Sequence, residues 1–372
     1  AGCAPGVLAA PDGRIYTLPA ARVATTQDAG IYGMQLWIPA GYLDRYGGGM
    51  PSTTAELRHY LEWVRDQDVD GKDDLSEGLI WGRAESQKAF SFHPTDFLMN
   101  AFVRQDSAGY AVQDGRIVYA PVSVEYREGL SWIAALVRDG LMDLEDIDAD
   151  ADDIRAFCKP IPPLAGPDGK RFAVSDPYAG LEQARASLPA AGTRREIAMA
   201  WLDACYDEEA ILRARFGELG TDWALPPDGT VSRTGMAAQV DPKIETWAVR
   251  TYAHWYNAFP SLSMTDGSWS SLLPAIEASD AYDEAETANA YRHAEVPSSI
   301  PPPLEYEGET GSRVAAWHSS IDQTAQTAIR AFLSGERDVD HDETWDAYTA
   351  QLRSIGLDDY LAAMQESYDR TW

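Results

Sequence analysis

The chain has 372 residues, long enough for two cores, and carries 30 basic against 59 acidic residues, a net charge of −29. Such a balance repels nucleic acid and anionic membrane surfaces, and no basic patch with interleaved aromatics offsets it. Apolar residues make up 45% of the chain, with Gly, Pro and aromatics spread throughout. That describes a folded protein and not an acidic disordered one, and no stretch approaches the roughly eighteen apolar residues of a membrane span.

In chain order, Ala1-Gly2-Cys3-Ala4 resembles the small-residue end of a lipoprotein signal, although no apolar region precedes it. Pro11-Asp12-Gly13 reads as a turn, Arg14–Pro19 as extended, and Ile31–Ile38 as a mostly apolar strand. A helix follows over Ala55–Val64, with hydroxyl residues Ser52, Thr53 and Thr54 at its start. Its Leu57, Tyr60, Leu61 and Val64 fall at i, i+3, i+4 and i+7, so they share one buried face.

The helix delivers the chain into Asp66-Gln67-Asp68-Val69-Asp70-Gly71-Lys72-Asp73-Asp74-Leu75-Ser76-Glu77. This is the calcium-loop pattern D-x-D-x-D-G-x5-E. A hard cation wants about six to eight converging oxygens. Asp66, Asp68, Asp70 and Asp74 supply side-chain oxygens, Lys72 a carbonyl, and Glu77 closes the shell, while Gly71 permits the reversal. A solvated acidic loop is the plainer alternative. The motif indicates Ca2+ with a structural role, and calcium of this kind favours the extracellular side.

Asp114-Gly115 reads as a hairpin turn before a strand over Arg116–Ala120, and a helix runs from about Val124 to Val137. Residues 143–153 are a solvated acidic stretch. Residues 160–169 are rigid and extended, a natural crossover between domains, and residues 296–303 make a second linker. Further helices fall at Arg194–Asp207, Ser312–Leu333, Glu343–Ser354 and Asp358–Tyr368. Trp37, Trp63 and Trp201 lie in periodic apolar contexts and read as core. Three cysteines, Cys3, Cys158 and Cys205, are too few for a disulfide scaffold, and a Cys158–Cys205 pairing stays open. Neither a zinc-spaced Cys/His cluster nor a recognised hydrolase motif is present in the sequence.

Several segments, in order, resemble the extracellular solute-binding proteins (family 1) of carbohydrate ABC importers, the type that includes alginate- and aldouronate-oligosaccharide binders. Asp12-Gly13-Arg14-Ile15-Tyr16-Thr17-Leu18-Pro19 resembles D-G-K-I-Y-G-L-P, and Leu36–Gly47 resembles M-W-I-R-K-D-W-L-D-K-L-G. Pro163–Lys170 resembles P-L-K-G-P-D-G-K, Trp201–Glu209 resembles W-L-D-Y-L-Y-S-E-E, and Phe216–Trp223 resembles F-G-x-E-G-x-D-W. The family's calcium ligands fall on Asp66, Asp68, Asp70, the Lys72 carbonyl and Asp74. Its next acid is replaced by Leu75, which leaves Glu77 as the substitute.

The resemblance implies an α/β fold of two lobes joined by hinge crossovers. Residues 1–28 and 160–300 would form the first lobe, which lacks its usual N-terminal segment in this sequence. Residues 30–158 and 302–372 would form the second, with the calcium loop at 66–77. It implies capture of an oligosaccharide by hinge closure and delivery to ABC permease subunits, with no catalysis. The protein is expected to be a monomer at the cell surface, held by a lipid. Sugars need aromatic planes for stacking, and Trp81, Tyr119, Trp223, Trp255, Trp269 and Trp317, at or near turns and crossovers, are the candidates. Arg116 and Arg171 could each fork onto a uronate carboxylate. A secreted calcium-stabilised polysaccharide-degrading enzyme and a non-transport carbohydrate-binding surface module are the alternatives.

Overall fold

The computed structural model describes residues 14–22, 36–67, 94–106, 108–142, 158–172, 181–207, 223–224, 239–240, 262–263, 301, 304, 306 and 308–371. Among them, the strands are β1 (Leu18–Arg22), β2 (Trp37–Pro39), β3 (Tyr110–Gln113), β4 (Arg116–Tyr119), β5 (Cys158–Pro160), β6 (Leu181–Ala186), β7 (Trp223–Ala224), β8 (Gln239–Val240) and β9 (Leu262–Ser263). The helices are α1 (Ala40–Tyr46), α2 (Thr54–Gln67), α3 (Pro94–Met99), α4 (Val124–Arg138), α5 (Arg195–Ala204), α6 (Gly308–Leu333), α7 (Asp342–Ser354) and α8 (Leu357–Thr371). The chain divides into two compact units, Ala1–Ile31 with Pro177–Ala288, and Tyr32–Asp176 with Asn289–Trp372.

In the first unit, β1 lies between β6, antiparallel, and β9, parallel. Its register against β6 shifts between Leu18 and Ala20. Pro19 sits at that shift and has no N–H to give to a ladder. Its carbonyl accepts a hydrogen bond from the Tyr206 hydroxyl at 2.5 Å instead. Helix α5 buries only Leu202, while Ile197 and Met199 face solvent and Trp201 is 54% exposed. The expectation that Trp201 is core is therefore corrected: Leu202 is the residue that turns inward, and Trp201 lies a hundred degrees away around the helix.

The second unit holds the larger described core. Helix α2 is opened by a capping arrangement. The Thr53 hydroxyl accepts from Glu56 N at 3.1 Å, and the Glu56 carboxylate accepts from Ser52 N at 2.8 Å and from the Ser52 hydroxyl at 2.9 Å. Leu57, Tyr60 and Leu61 are buried as the spacing predicts, and Val64 is half-buried. The predicted hairpin is present with Asp114 at φ 50° and Gly115 at φ 78°, the pair of left-handed residues that a two-residue turn needs. Helix α4 starts at a Ser123 cap and buries Tyr126, Gly129, Leu130, Ile133 and Leu136.

The rigid segment after Cys158 is packed into this same unit. Strand β5 pairs with β2, the Ile161 N–H donates to the Leu36 carbonyl, and Ile161, Leu164, Ala165 and Phe172 are buried. At its centre, Thr54 N donates to Ala165 O at 3.0 Å and Ala165 N donates to Ser52 O at 2.9 Å. The Arg171 guanidinium donates to the same Ser52 carbonyl at 3.1 Å. The thiols of Cys158 and Cys205 are both free.

Gly166 passes so closely under the Ala101 carbonyl that a Cβ there would overlap it. Gly166→Ala should lower stability by about 3 kcal/mol, at the upper end for a forced backbone shift. Gly41→Ala, in an open position within α1, should be neutral or stabilising by about 0.5 kcal/mol. Urea midpoints of the two variants check this contrast.

Candidate functional site

Two groups of chemistry-bearing residues can be built from the described part of the second unit. The first is the entry to the acidic loop. Asp66 and Gln67 close the last turn of α2, so the helix ends where the loop pattern begins. The Arg65 guanidinium contacts Asp66 Oδ1 at 2.9 Å and donates to the Asp139 carbonyl at 3.2 Å. About two helical turns earlier, Arg58 donates to Asp139 Oδ2 at 2.6 Å and to Glu62 Oε1 at 3.0 Å. Asp139 caps the end of α4. Two arginines of α2 thus grip one residue and fix the direction in which α2 presents Asp66. Asp68, Asp70, Lys72, Asp74 and Glu77 lie outside the described residues.

The donor set fits calcium in kind, since carboxylates and a carbonyl are hard oxygen ligands. Asp66 also fits in place: its side chain is 60% exposed, and its partner Arg65 is itself exposed. An exposed ion pair is worth at most about 1 kcal/mol, so a divalent ion can displace it.

The second group is an aromatic hub around Tyr360. The rings of Tyr110 and Tyr119 face each other across the hairpin at 4.9 Å, and Tyr110 meets Tyr360 edge-on at 5.8 Å. The Tyr110 hydroxyl donates to that of Tyr360. His318 on α6 reaches Tyr360 at 6.1 Å between ring centres. Burial pushes the Tyr110, Tyr119, Tyr306 and Tyr360 hydroxyls up from their ordinary pKa. For Tyr119 the nearby carboxylates of Asp322 and Asp106 add to this, and for Tyr306 the neighbour is Tyr360.

Tyr119 is therefore a core residue of the hub, 6% exposed. Trp317 is half-buried, with the Arg313 guanidinium 4.6 Å from the centre of its ring and Gly356 packed against its indole nitrogen. Trp223 stands in β7 opposite Val240. Trp81, Trp255 and Trp269 lie outside the described residues. Trp317 belongs to α6, and Tyr119 lies near Asp322 of the same helix. His318, Asp322, Tyr306 and Tyr360 were not singled out from sequence. One signal was available: Val314, His318, Ile321, Ala325, Ala328 and Phe332 follow a buried-stripe spacing, and His318 is its one polar member.

No family model matches the chain. It is 22% identical, over 98% of its length and 71% of the relative's, to the fructooligosaccharide ABC transporter substrate-binding protein FusA of Streptococcus pneumoniae serotype 4. Its structure is similar to that of the S. pneumoniae FusA EF-hand mutant in complex with fructo-nystose, with TM-score 0.70 at 20% identity, covering 98% of this chain and 78% of that one. It is also similar to a human-milk-oligosaccharide (HMO) binding, ABC-transporter-associated solute-binding protein from Bifidobacterium longum infantis. There the TM-score is 0.73 at 19% identity, covering 99% and 79% of the two chains. The chain has the two-lobe α/β fold of the solute-binding proteins of carbohydrate ABC transporters, as the sequence resemblance implied.

The Asp139 carboxylate is held below its ordinary pKa, chiefly by the Arg58 hydrogen bond. Its contribution to stability is present above about pH 4 and is lost as pH falls through the depressed value. Asp139→Asn should therefore melt below wild type at pH 7, and the gap should close progressively below about pH 4. Thermal melts of both proteins across this pH range are the measurement.

Proposed function

We propose that this protein is the substrate-binding component of an ABC importer, which captures an oligosaccharide by closing its two lobes and hands it to permease subunits. The observation that carries this reading is the likeness in sequence and fold, over essentially the whole chain, to FusA and to the B. longum infantis protein. A chain that divides into two units, each made of non-contiguous segments, suits the reading. In this reading the crossings between the units act as a hinge, and a ligand that contacts both lobes only when they close stabilises the closed state.

The protein works without turnover in this reading, and the ligand candidates that remain are Trp81, Trp223, Trp255, Trp269 and Trp317, the buried Tyr119 being withdrawn. Its place is the extracellular face, with a lipid anchor on the full-length protein and the monomer as the working state. Among the described residues no helix is long and apolar enough to cross a membrane. A thermal-shift screen of neutral and acidic oligosaccharides should find at least one that raises the melting temperature by several degrees, as ligand present at about a hundred times its Kd stabilises by about 2.7 kcal/mol. Failure of every sugar in the screen would count against transport.

Calcium is the second part of the proposal. Asp66, Asp68, Asp70, the Lys72 carbonyl, Asp74 and Glu77 would hold it, and it would brace the end of α2 without touching the sugar. The EF-hand named in the FusA mutant supports a calcium loop in a relative. Chelation should lower the melting temperature of wild type, and Asp68→Ala should remove that sensitivity. A melting curve that ignores the chelator would mean that the loop binds no ion of consequence.

A further inference from the structure

Helix α6 buries Val314, Ile321, Ala325, Ala328 and Phe332 against the second unit. His318 occupies the same stripe, four residues after Val314 and three before Ile321, yet it is exposed. An apolar residue there would extend the core, so the imidazole is placed against the packing logic of its own helix. Its ring lies against that of Tyr360, 6.1 Å between centres, and Tyr360 meets Tyr110 edge-on. Asp322 stands one turn further along α6, also exposed, and both its oxygens accept from the Gln326 amide at 3.1 Å.

We propose that His318 and Asp322 form a sugar-recognition pair on the second unit, selective for neutral sugars over uronic ones. The proposal rests on the solute-binding reading and names residues that the sequence did not suggest. Its chemistry follows from the groups present. An imidazole both donates and accepts, and a carboxylate accepts from two hydroxyls, so together they match a vicinal diol. Charge sets the selectivity. Asp322 and Asp106 both lie near the Tyr119 hydroxyl, and the cation of this helix end, Arg313, is engaged over Trp317 on the opposite flank of α6. A uronate carboxylate would meet like charge here, whereas a neutral polyol would not. The buried tyrosines supply rigidity: a polar pair held in place before the ligand arrives loses less entropy on binding.

The test is isothermal titration of the whole chain with fructo-nystose as the neutral probe and an oligogalacturonate as the acidic one. His318→Ala and Asp322→Asn should each weaken binding of fructo-nystose by about tenfold or more. His59→Ala, an exposed histidine on α2, should bind as wild type does. All three positions are exposed, so circular-dichroism melts should match wild type. If wild type binds fructo-nystose and both site variants bind equally well, the pair is overturned while the transport reading stands. Tighter binding of the oligogalacturonate by wild type overturns the selectivity. If wild type binds neither sugar, the proposal falls together with the reading on which it rests.

Discussion

The exchange of backbone hydrogen bonds between Ser52, Thr54 and Ala165 is the contact on which the second unit depends. It joins the first turn of α2, whose N–H groups have no partner within the helix, to a segment more than a hundred residues away. Both partners are constrained from other sides. Glu56 holds Ser52 from within the helix, Arg171 takes the remaining capacity of the Ser52 carbonyl, and Gly166 lets the returning chain slide under Ala101. With that end fixed, Arg58 and Arg65 fix the other end of α2 on Asp139. The helix becomes a strut whose far tip is Asp66.

This arrangement explains why a protein with a net charge of −29 can afford an acidic loop at a helix C-terminus. A carboxylate such as Asp66 at the end of α2 meets the negative end of the helix dipole, which is unfavourable, and a run of acids in sequence adds mutual repulsion. Arg65 compensates locally by pairing with Asp66. A divalent cation would do so more completely, because it answers several carboxylates at once while Arg65 answers one. The loop therefore makes physical sense as a site whose repulsion is relieved by an ion, and the strut gives that relief something rigid to act on.

Local elements were legible from the residues alone. The Asp114-Gly115 turn, the capped α4 and the three C-terminal helices are each specified by chemistry within a few positions: left-handed turn residues, a Ser123 cap, and apolar repeats. What could not be read is what lies opposite each face. Trp201 and Leu202 are neighbours in one apolar helix, and only tertiary packing decides that Leu202 turns inward. The Pro-rich run after Cys158 reads as a crossover because proline stiffens it, but the backbone pairing of Ala165 with Ser52 and Thr54 ties it into the second unit. Tyr119 looked like a turn-edge platform, and the hairpin instead folds its ring onto Tyr110. The acidic loop was read from spacing alone, since cation ligation would impose its own short-range pattern, and of its proposed ligands Asp66 is the one among the described residues.

His318 shows where the two kinds of information meet. Its spacing along α6 is visible in the sequence and predicts burial, so the position taken alone reads as an imperfection in an otherwise apolar stripe. The structure supplies the missing half: an exposed imidazole seated on a buried tyrosine hub whose hydroxyls had to be desolvated to put it there. Desolvating tyrosine hydroxyls is a cost that an all-apolar core would avoid. A core that keeps Tyr110, Tyr119 and Tyr360 together beside this polar break in the α6 stripe suits the proposed role of holding a polar group in place at the surface. That is the requirement a sugar hydroxyl places on its partner, because a hydrogen bond to a mobile side chain loses in entropy most of what it gains.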